Sequence, residues 1–322
     1  MESKDFEEQY LLNKYSKRIG EGSFGTVYLN ELKTGGNTAV KVTKLDGDNQ
    51  CEDGIFELKL MKSINKLGSI FLMELYDAKV FHGILTEKKK KAAKEKTKTP
   101  KLALLLSVAG TEEIEDFEIF NKEEMKSIII QTSMAMATGE KKEFEHRHAH
   151  VSNIRVQREE GQFDYILNGV KYIVDKNGIK ITLIDFGKSR IKDENGVLFY
   201  DWKTDQTLFG KNERYPEDPD LHFEIYDKMR QINGDDWASY NPKSNVLWIQ
   251  YLVEKLTGFN EGMQASIFPP CKVIDKKGHH VAENERKDIA EISEQIKDCK
   301  SATEVVEIMM ASEIFQNIII RA

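Results

Sequence analysis

Disulfide chemistry has little to work with in this chain. Its three cysteines, Cys51, Cys271 and Cys299, are widely spaced and odd in number, which argues against a disulfide framework or a zinc ribbon and fits a reducing compartment. Long hydrophobic runs are missing as well. The most apolar stretch, Leu102 to Gly110, falls far short of the roughly 20 residues that a membrane-spanning helix needs. The opening residues, Met1 to Glu8, lack the apolar core of a secretory signal. No internal repeat is visible. Excess positive charge is absent too: the formal net charge is -7, so no sequence-specific nucleic-acid partner is expected. These absences predict a cytoplasmic or nuclear protein with no membrane partner.

What is present is a chain of 322 residues, 40% hydrophobic and 31% charged, long enough for two domains or one bilobal unit with a sizeable core. Charge is uneven along it. Lys88 to Lys101 carries eight lysines and one glutamate, which reads as a solvated loop, with nuclear import or phosphate binding as the functional alternative. Glu112 to Glu118 is mostly acidic, holding Glu112, Glu113, Glu115 and Asp116.

Residues 1–16 are polar. After them, Ile19-Gly20-Glu21-Gly22-Ser23-Phe24-Gly25-Thr26-Val27 fits G-x-G-x-x-G-x-V, with a second limb that alternates as a strand does. Glycines let backbone N–H groups approach phosphate oxygens, although a glycine-rich hairpin with no ligand has the same pattern. Thr38-Ala39-Val40-Lys41-Val42 reads as a strand with one lysine at its centre. Ile55 to Leu67 has helical spacing and carries Glu57, which is placed to pair with Lys41 or to sit on the surface. Residues 70–86 and 102–108 read as strands, the second broken by Val108-Ala109-Gly110. From about Asn121 the pattern becomes helical, with one helix ending near Gly139. Strands are expected over 164–174 and 179–184, with Lys176-Asn177-Gly178 as the turn between them. Residues 196–222 read as irregular, and helices are expected over 223–231, 244–257 and about 285–318.

Two short strings carry the strongest chemistry. Glu145-His146-Arg147-His148-Ala149-His150-Val151-Ser152-Asn153 packs three of the seven histidines into alternate positions, and Ile184-Asp185-Phe186-Gly187 closes a strand. On a strand, His146, His148 and His150 would share one side and could bind a metal, but no Asp-His follows the second histidine. Read in order, the glycine lid, strand lysine, helix glutamate, catalytic loop and Asp-Phe-Gly form the set that protein kinases use. No Ala-Pro-Glu follows Asp-Phe-Gly.

The segment Phe223-Glu224-Ile225-Tyr226-Asp227-Lys228-Met229, then Trp237, Tyr240, Pro242 and Ser244-Asn245-Val246-Leu247-Trp248, resembles the haspin family of atypical serine/threonine kinases. So do Phe144-Glu145-His146-Arg147 and Ser301-Ala302-Thr303. The resemblance implies an α+β, bilobal kinase fold, with a small β-rich N-lobe over 17–107 and a larger helical C-lobe over 108–322. It implies ATP and Mg2+ as cofactors and a basic protein substrate, a histone tail phosphorylated on threonine in mitosis. By the same resemblance, Gly20, Gly22 and Gly25 form the lid, and Val27, Ala39, Leu106, Ser107 and Val108 line the adenine. Lys41 takes the phosphates with Glu57 as its partner, and Asn153 and Asp185 hold the metal. His150, Asp218 and Asp220 would face the substrate, with Glu113 and Asp116 attracting its basic charge.

One position departs from the family. His-Arg-Asp becomes His146-Arg147-His148, so histidine stands where an aspartate accepts the substrate hydroxyl proton. Loss of a positioned base costs roughly two to four powers of ten in rate. Histidine, with an ordinary pKa of about 6.5, can accept a proton but brings no negative charge. Three readings stand at this point: a haspin-like kinase of normal or reduced activity, a pseudokinase that binds ATP–Mg2+ and a basic peptide as a scaffold, and a metal site on the three histidines.

Overall fold

The computed structural model describes residues 17–22, 25–31, 37–46, 48–82, 100–108, 110, 112–217, 219–268, 270–274, 277–278 and 281–321. The N-terminal segment 1–16, the lysine block from Lys88 to Thr99, Ala109 and Asp218 lie outside them. The chain divides into two compact units, Met1–Lys66 with Met73–Ala109, and Leu67–Leu72 with Gly110–Ala322.

The first unit is built on an antiparallel sheet. Its strands are β1 (Lys17–Gly22), β2 (Gly25–Glu31), β3 (Asn37–Lys44), β4 (Leu75–His82) and β5 (Pro100–Leu106), in the order β1-β2-β3-β5-β4. β5 is flanked on both edges, and all five residues from Leu102 to Leu106 are buried, which explains an apolar run without alternation. Val40 and Val42 of β3 pack with Ala103 and Leu105, so the sheet's core uses β-branched side chains of the kind strands favour. Helix α1 spans Asp48–Asn65 and buries Leu60, Met61 and Ile64.

In the second unit, helix α2 (Lys122–Glu140) is the central support, buried on nearly every face. Asn121 caps it by accepting from the Glu124 N–H at 2.9 Å. A helix buried all round must satisfy most of its polar side chains internally, and Gln131 and Ser127 do so against the chain that leads to Asp185, while Thr132 Oγ1 has no partner among the described residues. Gln131 donates to the Ile179 carbonyl and accepts from the Ile181 N–H, while Ser127 donates to the Lys176 carbonyl. That strand, β10 (Ile179–Leu183), pairs with β7 (Ile154–Arg158), and β7 pairs with the short β6 (Glu112–Glu113). Helices α3 (Leu221–Asn233), α4 (Lys243–Thr257), α5 (Glu283–Ile296) and α6 (Ala302–Ala311) complete the unit. The protein is therefore α+β, with a β-rich N-terminal part and a helix-rich C-terminal part.

Three sequence expectations are corrected. The strand expected over 164–174 is a hairpin, β8 (Gln162–Leu167) and β9 (Val170–Asp175). Its turn is Asn168–Gly169, both with positive φ, an Asn-Gly signal that fits a two-residue hairpin loop. The single helix expected over 285–318 is two, because Ser301 starts a new helix by accepting from the Glu304 N–H. Residues 196–222 are not wholly irregular: β12 (Gly196–Phe199) pairs with β11 (Arg190–Asp193), and short helical turns follow. Among the described residues, no helix is long and apolar enough to cross a membrane.

Candidate active site

In the first unit, Gly22 pairs with Gly25 across the β1–β2 hairpin. Gly25 has φ 143°, and a Cβ there would lie 2.5 Å from the Val42 carbonyl oxygen, so glycine is required on both counts. Gly20 is under no such constraint, since its added Cβ would meet only the Val27 Cβ at 3.9 Å. Lys41 Nζ lies 2.5 Å from Glu57 Oε1, joining β3 to α1, and both side chains are mostly buried. The pairing expected from sequence is formed. Ala39 is buried opposite Leu106, and Val27 is half-buried opposite Lys41. Ser107 and Glu74 exchange two bonds: the Ser107 N–H donates to the Glu74 carbonyl, and Ser107 Oγ accepts from the Glu74 N–H. Val108 is half-buried beside it.

The second unit gathers the histidine stretch and Asp185. Glu145 pairs with Arg190 through both backbone bonds, which anchors one end of the stretch. Arg147 takes a left-handed conformation, φ 59°, and so turns the chain out of any strand. As a result the three rings do not line up. The His146 ring is buried near Phe186 and Phe144, with centroids 5.3 and 6.2 Å away. Its nitrogens make no hydrogen bond among the described residues, and burial pushes its pKa down to about 4. The strand geometry that a three-histidine metal site needs is therefore missing. Among the described residues, no group of three or more His, Cys, Asp or Glu side chains is placed to hold a metal ion.

His148 and His150 point elsewhere, their rings in edge contact at 4.7 Å. The Tyr226 hydroxyl lies 2.8 Å from His148 Nδ1. Burial raises the Tyr226 phenol well above its ordinary pKa, so it keeps its proton, and the Asp185 carboxylate facing Nε2 favours the ring proton there, which leaves Nδ1 to accept from Tyr226. His148 Nε2 lies 3.8 Å from Asp185 Oδ2. Burial and then the nearby His150 and Lys188 hold the His148 pKa well below the usual imidazole value. The ring is thus neutral. With Nδ1 accepting from Tyr226, its one N–H is on Nε2, facing Asp185.

Asn153 closes the loop by donating its amide to the His148 carbonyl at 2.8 Å and lying 3.0 Å from His150 Nε2. Burial pushes the His150 pKa down to about 4. Asp185 follows β10 with φ 60° and ψ 71°, an uncommon conformation for a residue with a side chain. The Asn153 amide nitrogen is thus occupied while its oxygen remains available, and the Asp185 carboxylate accepts no hydrogen bond among the described residues. A hard divalent cation binds oxygens of this kind.

The expected substrate residues are more scattered. Asp220 caps α3 by accepting from the His222 N–H, and its Oδ1 lies 2.8 Å from His222 Nδ1. Burial would raise its pKa, but the His222 bonds prevail and hold it at about 2. On the acidic run, Glu113 pairs with Arg155 and Glu115 with Lys255, while Glu112 and Asp116 are exposed and in no ion pair among the described residues. Sequence reasoning missed three participants: Tyr226 as the partner of His148, His222 as that of Asp220, and Lys188 with its surroundings. Tyr226 stood inside a quoted motif, but its contact spans 78 residues and no local pattern reports it.

Comparison with known proteins gives the family. The haspin-like kinase domain matches residues 4–306. The chain belongs to the haspin-like kinase family. It is 35% identical over 158 residues to the serine/threonine-protein kinase haspin of Bos taurus, covering 48% of this chain and 19% of that protein. The serine/threonine-protein kinase haspin homolog of Arabidopsis thaliana is 34% identical over 149 residues, 46% of this chain and 24% of that protein. That of Schizosaccharomyces pombe is 30% identical over 172 residues, 48% and 34% of the respective chains. The matched region thus spans well under half the length of these haspin relatives.

Proposed function

We propose that the chain is an ATP-dependent serine/threonine kinase of the haspin type, acting slowly on a basic, histone-tail-like protein in the nucleus, on chromosomes or in the cytoplasm. The observation that carries the reading is the Lys41–Glu57 ion pair, a cation held by a carboxylate of the kind that kinases use for nucleotide phosphates. Asn153 and Asp185 would hold Mg2+ through their available oxygens, and Gly20, Gly22, Gly25, Val27, Ala39 and the 106–108 strand end would serve the nucleotide. When bound, ATP–Mg2+ supplies the phosphoryl group and neutralises its charge. The protein's own share is then to orient the hydroxyl and dispose of its proton.

His148 is poorly suited to the second task. A neutral ring whose Nδ1 is engaged by Tyr226 and whose Nε2 carries the proton has no free lone pair to offer. It acts as a donor that orients oxygen atoms, so transfer rests on positioning and charge. This observation also favours the second reading, a pseudokinase that binds ATP–Mg2+ and a basic peptide without efficient transfer. The exposed Glu112 and Asp116, with Asp220, support a basic partner through charge complementarity, and the neutral His150 would face it as a hydrogen-bonding group.

The deciding experiment is phosphate transfer from ATP to a histone-tail peptide by wild type, His148→Asp and Asp185→Ala. The kinase reading expects slow wild-type transfer, a gain of roughly 10²–10⁴-fold in His148→Asp, and none in Asp185→Ala. Transfer only in His148→Asp establishes the pseudokinase. No ATP–Mg2+ effect on the melting temperature removes both readings.

A further inference from the structure

Immediately after Asp185-Phe186-Gly187, a lysine is buried. Lys188 ends the helical turn Phe186–Lys188 and is only 7% exposed. A buried ammonium needs compensation, and here it is complete. Its Nζ lies 2.7 Å from Asp205 Oδ2, 4.1 Å from the Tyr200 ring centroid and 4.9 Å from that of Trp202. One carboxylate and two aromatic faces enclose the charge.

These three partners come from one short stretch that has little regular structure of its own. Asp201 starts a helical turn over Trp202–Thr204, and Asp205 also accepts from Thr207 Oγ1 at 2.7 Å. The stretch ends where the Gly210 N–H donates to Asp227 on α3. Trp202 is fully buried, with its ring 5.2 Å from Tyr226, 5.7 Å from Trp237 and 6.5 Å from His148. It therefore forms a wall behind the two rings that meet at the candidate catalytic position. Irregular backbone has few ladder hydrogen bonds to hold it, so side-chain anchors decide its order. Lys188 is the anchor at the middle of this stretch, and it reaches all three partners from the Asp185 turn.

We propose that Lys188 is a positioning residue for the phosphotransfer site: by drawing Tyr200, Trp202 and Asp205 onto the turn after Asp185, it orders residues 200–209 and seats Trp202 behind His148 and Tyr226. The effect on turnover rests on the kinase reading above; the ordering itself does not.

The test combines amide hydrogen exchange with kinetics on the full chain, comparing wild type, Lys188→Met, Lys188→Arg and Asp205→Asn. In Lys188→Met and Asp205→Asn, amides in 200–209 should exchange at least about tenfold faster while those of α2 stay unchanged. With the same tail peptide, kcat should fall about tenfold and the KM for ATP should change less than about twofold. Lys188→Arg, which keeps the charge, should recover most of both. Wild-type exchange over 200–209 in Lys188→Met and Asp205→Asn overturns the proposal, as does a failure of Lys188→Arg to do better than Lys188→Met. If Lys188→Met is too unstable to purify, Asp205→Asn reads the same pair with its shape preserved. A wild type that transfers no phosphate refutes the kinase reading alone, and exchange then decides the role of Lys188.

Discussion

Removing the guanidinium of Arg147 should destabilise the protein more than any change to the exposed ion pairs. Glu145 is fully buried and accepts four hydrogen bonds: from Arg147 Nε at 3.0 Å, an Arg147 terminal nitrogen at 2.9 Å, the Asn241 N–H at 3.0 Å and Ser244 Oγ at 2.7 Å. Arg147 also donates to the Trp237 carbonyl at 2.8 Å. In Arg147→Met the carboxylate keeps two neutral donors and Arg190 Nε at 3.8 Å, but loses the partner that balances its charge. Breaking a buried pair from one side costs about 3–5 kcal/mol. For a cooperative unit of 150–250 residues, that lowers the melting temperature by roughly 6–20 °C.

A second variant isolates the cause. Glu145→Gln added to Arg147→Met leaves an oxygen to accept from the Asn241 N–H and an amide NH2 that can donate to Ser244 Oγ, and removes the stranded charge. The double variant should therefore be more stable than Arg147→Met by at least about 1 kcal/mol. Urea unfolding followed by circular dichroism measures both, with melting curves as a check. An Arg147→Met protein within about 1 kcal/mol of wild type refutes the reasoning, as does a double variant no more stable than the single.

Two further outcomes follow from buried groups. The His146 pKa is about 4 in the folded state against 6.5 in its ordinary state, so between those values the unfolded chain binds the extra proton. Its contribution is fully present above pH 6.5, is lost as pH falls toward 4, and amounts to about 3 kcal/mol. In His146→Leu, which gives up no hydrogen bond, the loss of unfolding free energy between pH 7 and pH 4 should shrink by about that amount; an unchanged pH slope counts against it. Gly139→Ala should destabilise α2 even though alanine favours helices by about 1 kcal/mol, because the added Cβ would lie 2.4 Å from the Phe144 ring. Overpacking of this kind costs about 1–3 kcal/mol, and a stabilised Gly139→Ala in thermal unfolding would contradict it.

Local patterns carried much of this protein. The G-x-G-x-x-G-x-V string reads as a hairpin because glycine and alternation are short-range signals, and the Lys41–Glu57 pair was anticipated from a strand and a helix close in sequence. The Asn168–Gly169 turn was equally legible, yet the apolar residues around it read as one strand. The α5–α6 break was also present locally, as a serine cap three residues before a glutamate. Pattern alone left the three histidines ambiguous between a metal site and a catalytic loop.

Only the tertiary structure separated them. Arg147 turns the backbone, so His146 enters the core beside Phe186 while His148 meets Tyr226 and His150 meets Asn153. The buried contacts that decide the chemistry join residues far apart in the chain: Glu145 with Ser244, Arg147 with Trp237, His148 with Tyr226. Sequence periodicity reports which side of a helix or strand a residue occupies, and so it determined the elements, while short residue strings carried the family resemblance. Which proton sits on which nitrogen of His148 depends on burial and on a hydroxyl supplied by another helix, and those exist only once the chain has folded.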